Sequence, residues 1–223
     1  MYHWVEDKKF LGRMKGLCSN IVNQLVQLIN NEGQMLVRSY LVGSGAKNLI
    51  TQNANEAIDL DYNLEILECY DLDINDCKSI KNYVGEKFDT ILSRNGWANC
   101  QYSSSVFTTE QRVFCNGNKT PFSIDLCIVR HRHNSWERLI CENTAFTILN
   151  RYYWNQAPSS NGLSHKVELL KKGNYWEDVR NMYLDKKNMY LRRNDRTHSS
   201  FIIYIETINE AYSKYCHGLR HIY

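Results

Sequence analysis

The alternation of apolar and polar residues changes character twice between Leu36 and Ile66. An apolar run from Leu36 ends at Gly43-Ser44, a polar connection follows, and Ile58 to Ile66 then alternates one for one. Period-two alternation predicts a strand with Ile58, Leu60, Tyr62, Leu64 and Ile66 on one face and Asp59 and Asp61 on the other. At roughly 3.3 Å rise per residue the two carboxylates stand about 6.6 Å apart on the same side. Unpaired carboxylates that close repel each other, and a divalent cation between them is the simplest relief. A third acid has the same setting: Phe122, Ile124, Leu126 and Ile128 make an apolar face and Asp125 looks out from the opposite one. The strand-like residues 105–115 and the turn signal Asn116-Gly117-Asn118 predict a hairpin in which an antiparallel partner strand delivers Asp125 to the Asp59/Asp61 pair.

Helical spacing governs the rest. Glu6 to Asn31 repeats Phe10, Met14, Leu17, Ile21, Leu25 and Leu28 at three and four, and Ile74 to Asn95 does the same with Ile80, Val84, Phe88 and Ile91 before Gly96. Trp136 to Cys141 and Ala145 to Tyr153 are rich in Ile, Phe, Thr and Tyr and are read as strands. The turn-forming stretch 155–162 is the clearest linker, and Ser164–Lys172, Trp176–Leu191 and Ser199–His217 beyond it read as helices.

Gly43 and Ser44 after a hydrophobic strand, Asp59 and Asp61 on the next strand, and Asp125 on a later one resemble the polymerase-β-like nucleotidyltransferases. Within them the branch of oligoadenylate synthetases, bacterial cyclic-oligonucleotide synthases and small bacterial nucleotidyltransferases is the most similar. The resemblance covers residues 36–130 well and the remainder loosely. It departs from the family in the Gly45–Ile58 connection, which is slightly longer and reads Gly-Ala-Lys-Asn where many members carry a later Gly-Thr. The resemblance implies an α+β fold, with a mixed or antiparallel sheet flanked by helices in a catalytic domain over residues 1–155 and a C-terminal helical lobe over 156–223. It implies transfer of a nucleoside monophosphate from a nucleoside triphosphate onto an acceptor hydroxyl. Two Mg²⁺ ions, or Mn²⁺, would be held by Asp59, Asp61 and Asp125, the metal-binding and catalytic residues, with Asp125 completing the site that activates the hydroxyl. Gly43 would let the backbone approach the triphosphate, Ser44 would donate to its phosphates, and Lys47, one turn into the following helix, would add positive charge. The acceptor stays open among a small molecule, a protein, an RNA and a second nucleotide. The competing expectation is an inactive member of the same fold that serves as a nucleotide- or protein-binding module.

Composition narrows this little. The chain has 223 residues and a formal net charge of +3, enough length for a substantial core and too little charge to demand nucleic acid. Its eight cysteines form no C-x-x-C pair and no signal-peptide pattern precedes them, so reduced thiols in the cytoplasm are expected. No apolar run reaches membrane-spanning length, and no membrane partner is expected. Cys127, His131, His133 and Cys141 can be drawn as a zinc set, yet their spacing matches no paired-ligand pattern. Lys166, Lys171, Lys172 and the basic cluster Lys186, Lys187, Arg192, Arg193 and Arg196 read first as solvated helix faces. Tyr152, Tyr153 and Trp154 read first as core aromatics, with base stacking the functional alternative.

Overall fold

The computed structural model describes residues 1–143, 150–157, 162–195 and 198–216. In chain order the elements are β1 (Tyr2–Trp4), α1 (Lys8–Glu32), β2 (Met35–Leu41), α2 (Gly43–Lys47), β3 (Thr51–Asn53), β4 (Ile58–Cys69) and α3 (Cys77–Arg94). Then follow β5 (Gln101–Tyr102), β6 (Val106–Thr108), β7 (Phe122–Arg132), β8 (Ser135–Asn143), β9 (Asn150–Gln156), α4 (Leu163–Lys172), α5 (Trp176–Arg192) and α6 (Ser200–Cys216). The chain divides into a sheet unit, Glu6–Asn48 with Glu56–Pro158, and a helical unit, Met1–Val5 with Leu49–Asn55 and Ser159–Tyr223.

The sheet unit is built on a seven-stranded mixed sheet in the order β2-β4-β7-β6-β5, with β8 also on β7 and β9 on β8. Leu60, Leu64, Phe122, Ile124 and Leu126 are fully buried on its apolar face. Helix α1 reaches that face through the Ser19–Tyr62 hydroxyl pair at 2.8 Å and the edge-on contact of Phe10 with Phe122. Helix α3 reaches it through Phe88 against Phe107. Both helices start where an aspartate caps them, Asp7 accepting from the Phe10 N–H at 2.9 Å and Asp76 from the Ser79 N–H at 3.1 Å. Near the end of α1 the Asn30 carboxamide brackets Val37, accepting from its N–H and donating to its C=O, at the point where the β2–β4 register shifts. Both backbone polar groups of Val37 are thereby satisfied by a side chain.

The alternation expected for residues 58–66 is present, but the route by which Asp125 arrives differs from the expected hairpin. β7 runs parallel to β4 and antiparallel to β6. Residues 105–115 do not form one strand: β6 stops at Thr108, and Arg112 makes only an isolated bridge with Phe122. Phe114 instead packs on Phe10 and Phe122, with the Arg13 guanidinium 4.1 Å from its ring centre. Burying that aromatic against α1 outweighs continuing the ladder, and Asn116–Asn118 lies within a longer loop. β8 and β9 are strands as expected, paired antiparallel from Glu137↔Gln156 to Asn143↔Asn150, while residues 144–149 lie outside the described ones.

In the helical unit Leu163, Leu170, Val179, Tyr183, Ile203 and Ile208 share a core with Leu49. The connection between α2 and β4 supplies that leucine. After Asn48 the chain enters this unit, lays β3 antiparallel to β1, and re-enters the sheet unit at Glu56. Asn188 of α5 closes the edge of β1, accepting from the Tyr2 N–H at 2.7 Å and donating to the Tyr2 C=O at 3.0 Å. Lys187, buried, donates to Thr51 Oγ1 at 2.9 Å with its ammonium 4.0 Å from the Tyr2 ring centre.

Leu64 has no exposed surface and stands on β4 between β2 and β7. Leu64→Ala should cost about 2–5 kcal/mol of unfolding free energy in urea denaturation. A loss below about 1 kcal/mol would mean that this face is not the packed core.

Candidate active site

Parallel pairing of β4 with β7 sets Asp59 beside Ser123 and Asp61 beside Asp125, and β6 adds Thr108 on the far side of Asp125. The sheet therefore places all three predicted carboxylates on one face, two of them as direct neighbours across adjacent strands. Two hydroxyls the sequence reading had not singled out hold them. Thr108 Oγ1 donates to Asp125 Oδ1 at 2.6 Å, and the Ser123 hydroxyl donates to Asp59. Ser123 was legible in principle, because it stands two residues before Asp125 and so shares its face.

Asp61 is the most perturbed of the three. Burial, then the negative charges of Asp125 and Asp59, push its pKa up to about 6, against partial relief from Arg138 and Lys47. Burial also raises Asp125, the Thr108 hydrogen bond opposing it and the Asp59 charge adding to it. Like charges packed together in a partly desolvated place disfavour one another's ionised form.

The turn after β2 comes up against this pair. The Val42 N–H donates to the Asp61 C=O at 2.8 Å, and Gly43 follows with φ of +61°. A Cβ on Gly43 would lie 2.2 Å from Asp61 Oδ2, so a side chain there is barred both by the backbone angle and by the carboxylate. The helix expected after Gly43-Ser44 is a single turn, ended by Asn48 in the left-handed region. Lys47 is its last residue; its Nζ donates to the Gly43 C=O at 3.3 Å, and burial lowers its pKa against the opposing pull of Asp61. Lys15, a surface-patterned residue of α1 that sequence reasoning passed over, clamps the turn by donating to the Gly45 C=O at 2.7 Å and to Asn48 Oδ1 at 3.1 Å.

Other candidates are spent on packing. Trp154 Nε1 donates to the Ile74 C=O at 2.9 Å and its ring lies 4.4 Å beneath the Arg130 guanidinium, so this aromatic belongs to the helix-bearing side. The Tyr153 hydroxyl donates to Glu142. In the helical unit Lys166 donates to Asn209 at 2.6 Å, Lys171 lies 4.7 Å from the Trp176 ring centre, and Lys172 pairs with Glu168 at 2.8 Å. Lys186 pairs with Glu210 at 2.8 Å, and Arg196 lies outside the described residues. Of the residues drawn as a zinc set, Cys127 is buried with its thiol donating to the Ser105 C=O, and His131 packs edge-on to Trp136.

Among the described residues no three His, Cys, Asp or Glu side chains are placed to hold a metal ion by themselves. Mg²⁺ seldom asks for that: it keeps waters and is held by one or two carboxylates together with substrate phosphates. Asp61 and Asp125 in register, with Asp59 one pleat away and a glycine cleared against Asp61, are a donor set that fits such an ion. Among the described residues no helix is long and apolar enough to cross a membrane.

Because the folded pKa of Asp61 lies near 6 and its ordinary value is 3.8, the folded chain holds a proton that the unfolded chain has released between those values. Stability without divalent metal should therefore fall as pH rises from about 4 to about 6 and then level off. Asp61→Asn should flatten that fall and be more stable than the parent at pH 8 by on the order of 2 kcal/mol. Denaturant melts at pH 4 and pH 8 check this, and a variant no more stable at pH 8 contradicts the assigned repulsion.

No protein-family profile matches the sequence, and no curated protein matches it. Solved structures do. The chain is similar to the Escherichia coli MS115-1 CdnC with ATP, at 15% identity and a TM-score of 0.58 over 91% of this chain and 60% of that one. It is similar to the Elizabethkingia meningoseptica CdnE cyclic dinucleotide synthase with GTP and Apcpp, at 14% identity and a TM-score of 0.51 over 90% and 71%. It is also similar to the Escherichia coli DncV in its 3'-deoxy GTP bound form, at 12% identity and a TM-score of 0.51 over 78% and 46%. The chain thus spans between 46% and 71% of these three proteins' lengths. At such identities the likeness is one of fold: a mixed sheet flanked by helices, shared with these nucleotide-bound structures.

Proposed function

We propose that this chain is a divalent-metal-dependent nucleotidyltransferase that moves a nucleoside monophosphate from a nucleoside triphosphate onto an acceptor hydroxyl. The observation that carries the reading is the register pairing of Asp61 with Asp125, on the face where Asp59 also stands, beside Gly43, where a Cβ would collide with the Asp61 carboxylate. Supporting it, the solved structures with the same fold include a cyclic dinucleotide synthase with GTP and Apcpp bound.

In this reading the sheet unit is the catalytic domain and the helical unit its second lobe. Asp59, Asp61 and Asp125 would hold Mg²⁺, or Mn²⁺ in its place, as two ions, and the metal would supply positive charge against the negative charge of the transferred phosphate. The residues of the chain do the positioning. Thr108 and Ser123 donate their hydroxyl protons to Asp125 and Asp59, which aims both carboxylates. The open backbone at Gly43, with Ser44 next to it, admits the triphosphate, and Lys47 adds charge there. Lys15 holds the turn to α1 so that these groups need not be ordered anew on binding. Asp125, on the side of Asp61 away from the turn, is placed to take the acceptor hydroxyl's end of the site.

Three carboxylates facing a triphosphate repel it unless metal intervenes. Calorimetry with a non-hydrolysable ATP analogue should therefore find binding to the parent that is lost in excess EDTA and restored by Mg²⁺. Replacing Asp59, Asp61 and Asp125 together by Asn should leave an affinity nearly indifferent to Mg²⁺, beyond the metal carried by the nucleotide. Equally tight binding to the parent with and without EDTA would contradict the catalytic reading and favour an inactive binding module.

A further inference from the structure

On the helix-bearing side of the sheet, away from the carboxylates, a cavity of about 510 Å³ opens among α3, the Tyr102–Ser104 segment and the β8–β9 pair, with Lys81, Ser104, Cys141 and Tyr152 in its wall. Cys141 and Tyr152 face each other across β8 and β9 and share the side of buried Leu139 and of Trp154, whose Nε1 donates to the Ile74 C=O ahead of α3. Asp59, Asp61 and Asp125 stand on the other side. Lys81 comes from α3 to the place where β6 and β8, successive neighbours along one edge of β7, diverge. Only 4% of it is exposed, and its ammonium donates to the Ser103 C=O at 2.8 Å and to the Ser104 C=O at 3.1 Å. Burial lowers its pKa, and the groups that oppose this are the Cys141 and Cys127 thiols rather than any carboxylate.

A lysine withdrawn this far from water is almost always paired with an anion. Two backbone carbonyls satisfy two of the three ammonium N–H groups without cancelling the charge, which leaves one donor and one positive charge for the cavity that Lys81 lines. That balance selects the ligand. A carboxylate supplies a single negative charge and an oxygen to accept the remaining N–H, whereas a phosphate dianion would bury a second charge with nothing to meet it. The rest of the wall suits an organic body behind the carboxylate. Among the described residues the side chains of Asn82, Ser104 and Asn150 make no hydrogen bond, and the rings of Tyr102 and Tyr152 add flat apolar surface. The volume is that of a small-molecule site. We propose that this cavity is a second ligand site, which takes a small aromatic carboxylate with its charged end on Lys81. The site lies outside the nucleotidyltransferase reading and does not depend on it.

Ligand-observed NMR on the full chain tests this with three probes: benzoate, its neutral isostere benzamide, and the dianion phenyl phosphate. Benzoate should bind about tenfold or more tightly than benzamide, the value of a charge-assisted hydrogen bond, and more tightly than phenyl phosphate. Asn82→Asp adds a negative charge to the wall and leaves the Lys81 hydrogen bonds in place. It should remove benzoate's advantage while benzamide binding and thermal melting stay as in the parent. Lys81→Met should remove the advantage as well; if that variant melts lower because the Ser103 and Ser104 carbonyls lose their donor, the Asn82→Asp result decides. A saturating non-hydrolysable ATP analogue with Mg²⁺ should leave benzoate affinity unchanged, since the carboxylates are on the other side of the sheet. Equal or absent binding of benzoate and benzamide to the parent, parental discrimination in Asn82→Asp, tighter binding of phenyl phosphate, or displacement of benzoate by the ATP analogue would each overturn the proposal. Failure of the ATP analogue to bind would remove the nucleotidyltransferase reading and leave this site standing, which separates the two.

Discussion

The withdrawal of Asp61 and Asp125 from water, side by side on two central strands with a further negative charge close by, is the constraint around which the sheet unit is organised. Both are half-buried, both have their pKa raised by burial, and a third carboxylate stands one pleat away. Nothing in the physics of folding favours that arrangement, so other parts of the chain must offset it. The Thr108 and Ser123 hydroxyls lower the cost locally. On the opposite face the unbroken apolar rows of β4 and β7, covered by α1 and α3, supply burial that fixes the register. A slip of one residue would turn Asp59 and Asp61 into that core and Leu60 and Leu64 out of it. The packing that stabilises the domain thereby also holds the carboxylates in place.

The turn next to the carboxylates is held to α1 by Lys15, which donates to the Gly45 C=O and to Asn48 Oδ1. A single turn of helix as short as α2 has little stability of its own. Its geometry is imposed by these anchors and by the Val42–Asp61 backbone hydrogen bond. The β3–β1 pairing that follows belongs to the helical unit, which is made of three separated pieces of sequence.

The strict alternation at 58–66 and 122–128 was legible because a side-chain period of two leaves no freedom about which residues share a face. The long helices were legible for the corresponding reason at a period of 3.6. Strand direction was not: alternation carries no sign, and Asn116-Gly117-Asn118 offered a turn that the burial of Phe114 against Phe10 and Phe122 overrode. The contribution of residues 1–5 and 49–55 to the helical unit was equally hidden, since three-residue strands have no periodicity to read. Thr108 and Lys15 were not legible because each is defined by a neighbour distant in sequence, Asp125 and the Gly45–Asn48 turn. Trp154 could not be assigned to the Arg130 side until the β8–β9 pairing placed it there.

The central claim is that the three carboxylates serve transfer of a nucleotide, and the most direct measurement of it is turnover. The full chain incubated with each of the four α-labelled nucleoside triphosphates, Mg²⁺ and candidate acceptors, followed by separation of protein, RNA and small-molecule products, should give label in a new product with at least one triphosphate. That label should disappear in EDTA and in Asp61→Asn. Absence of labelled product with every triphosphate from a chain that binds nucleotide, or undiminished labelling by Asp61→Asn, would contradict the account.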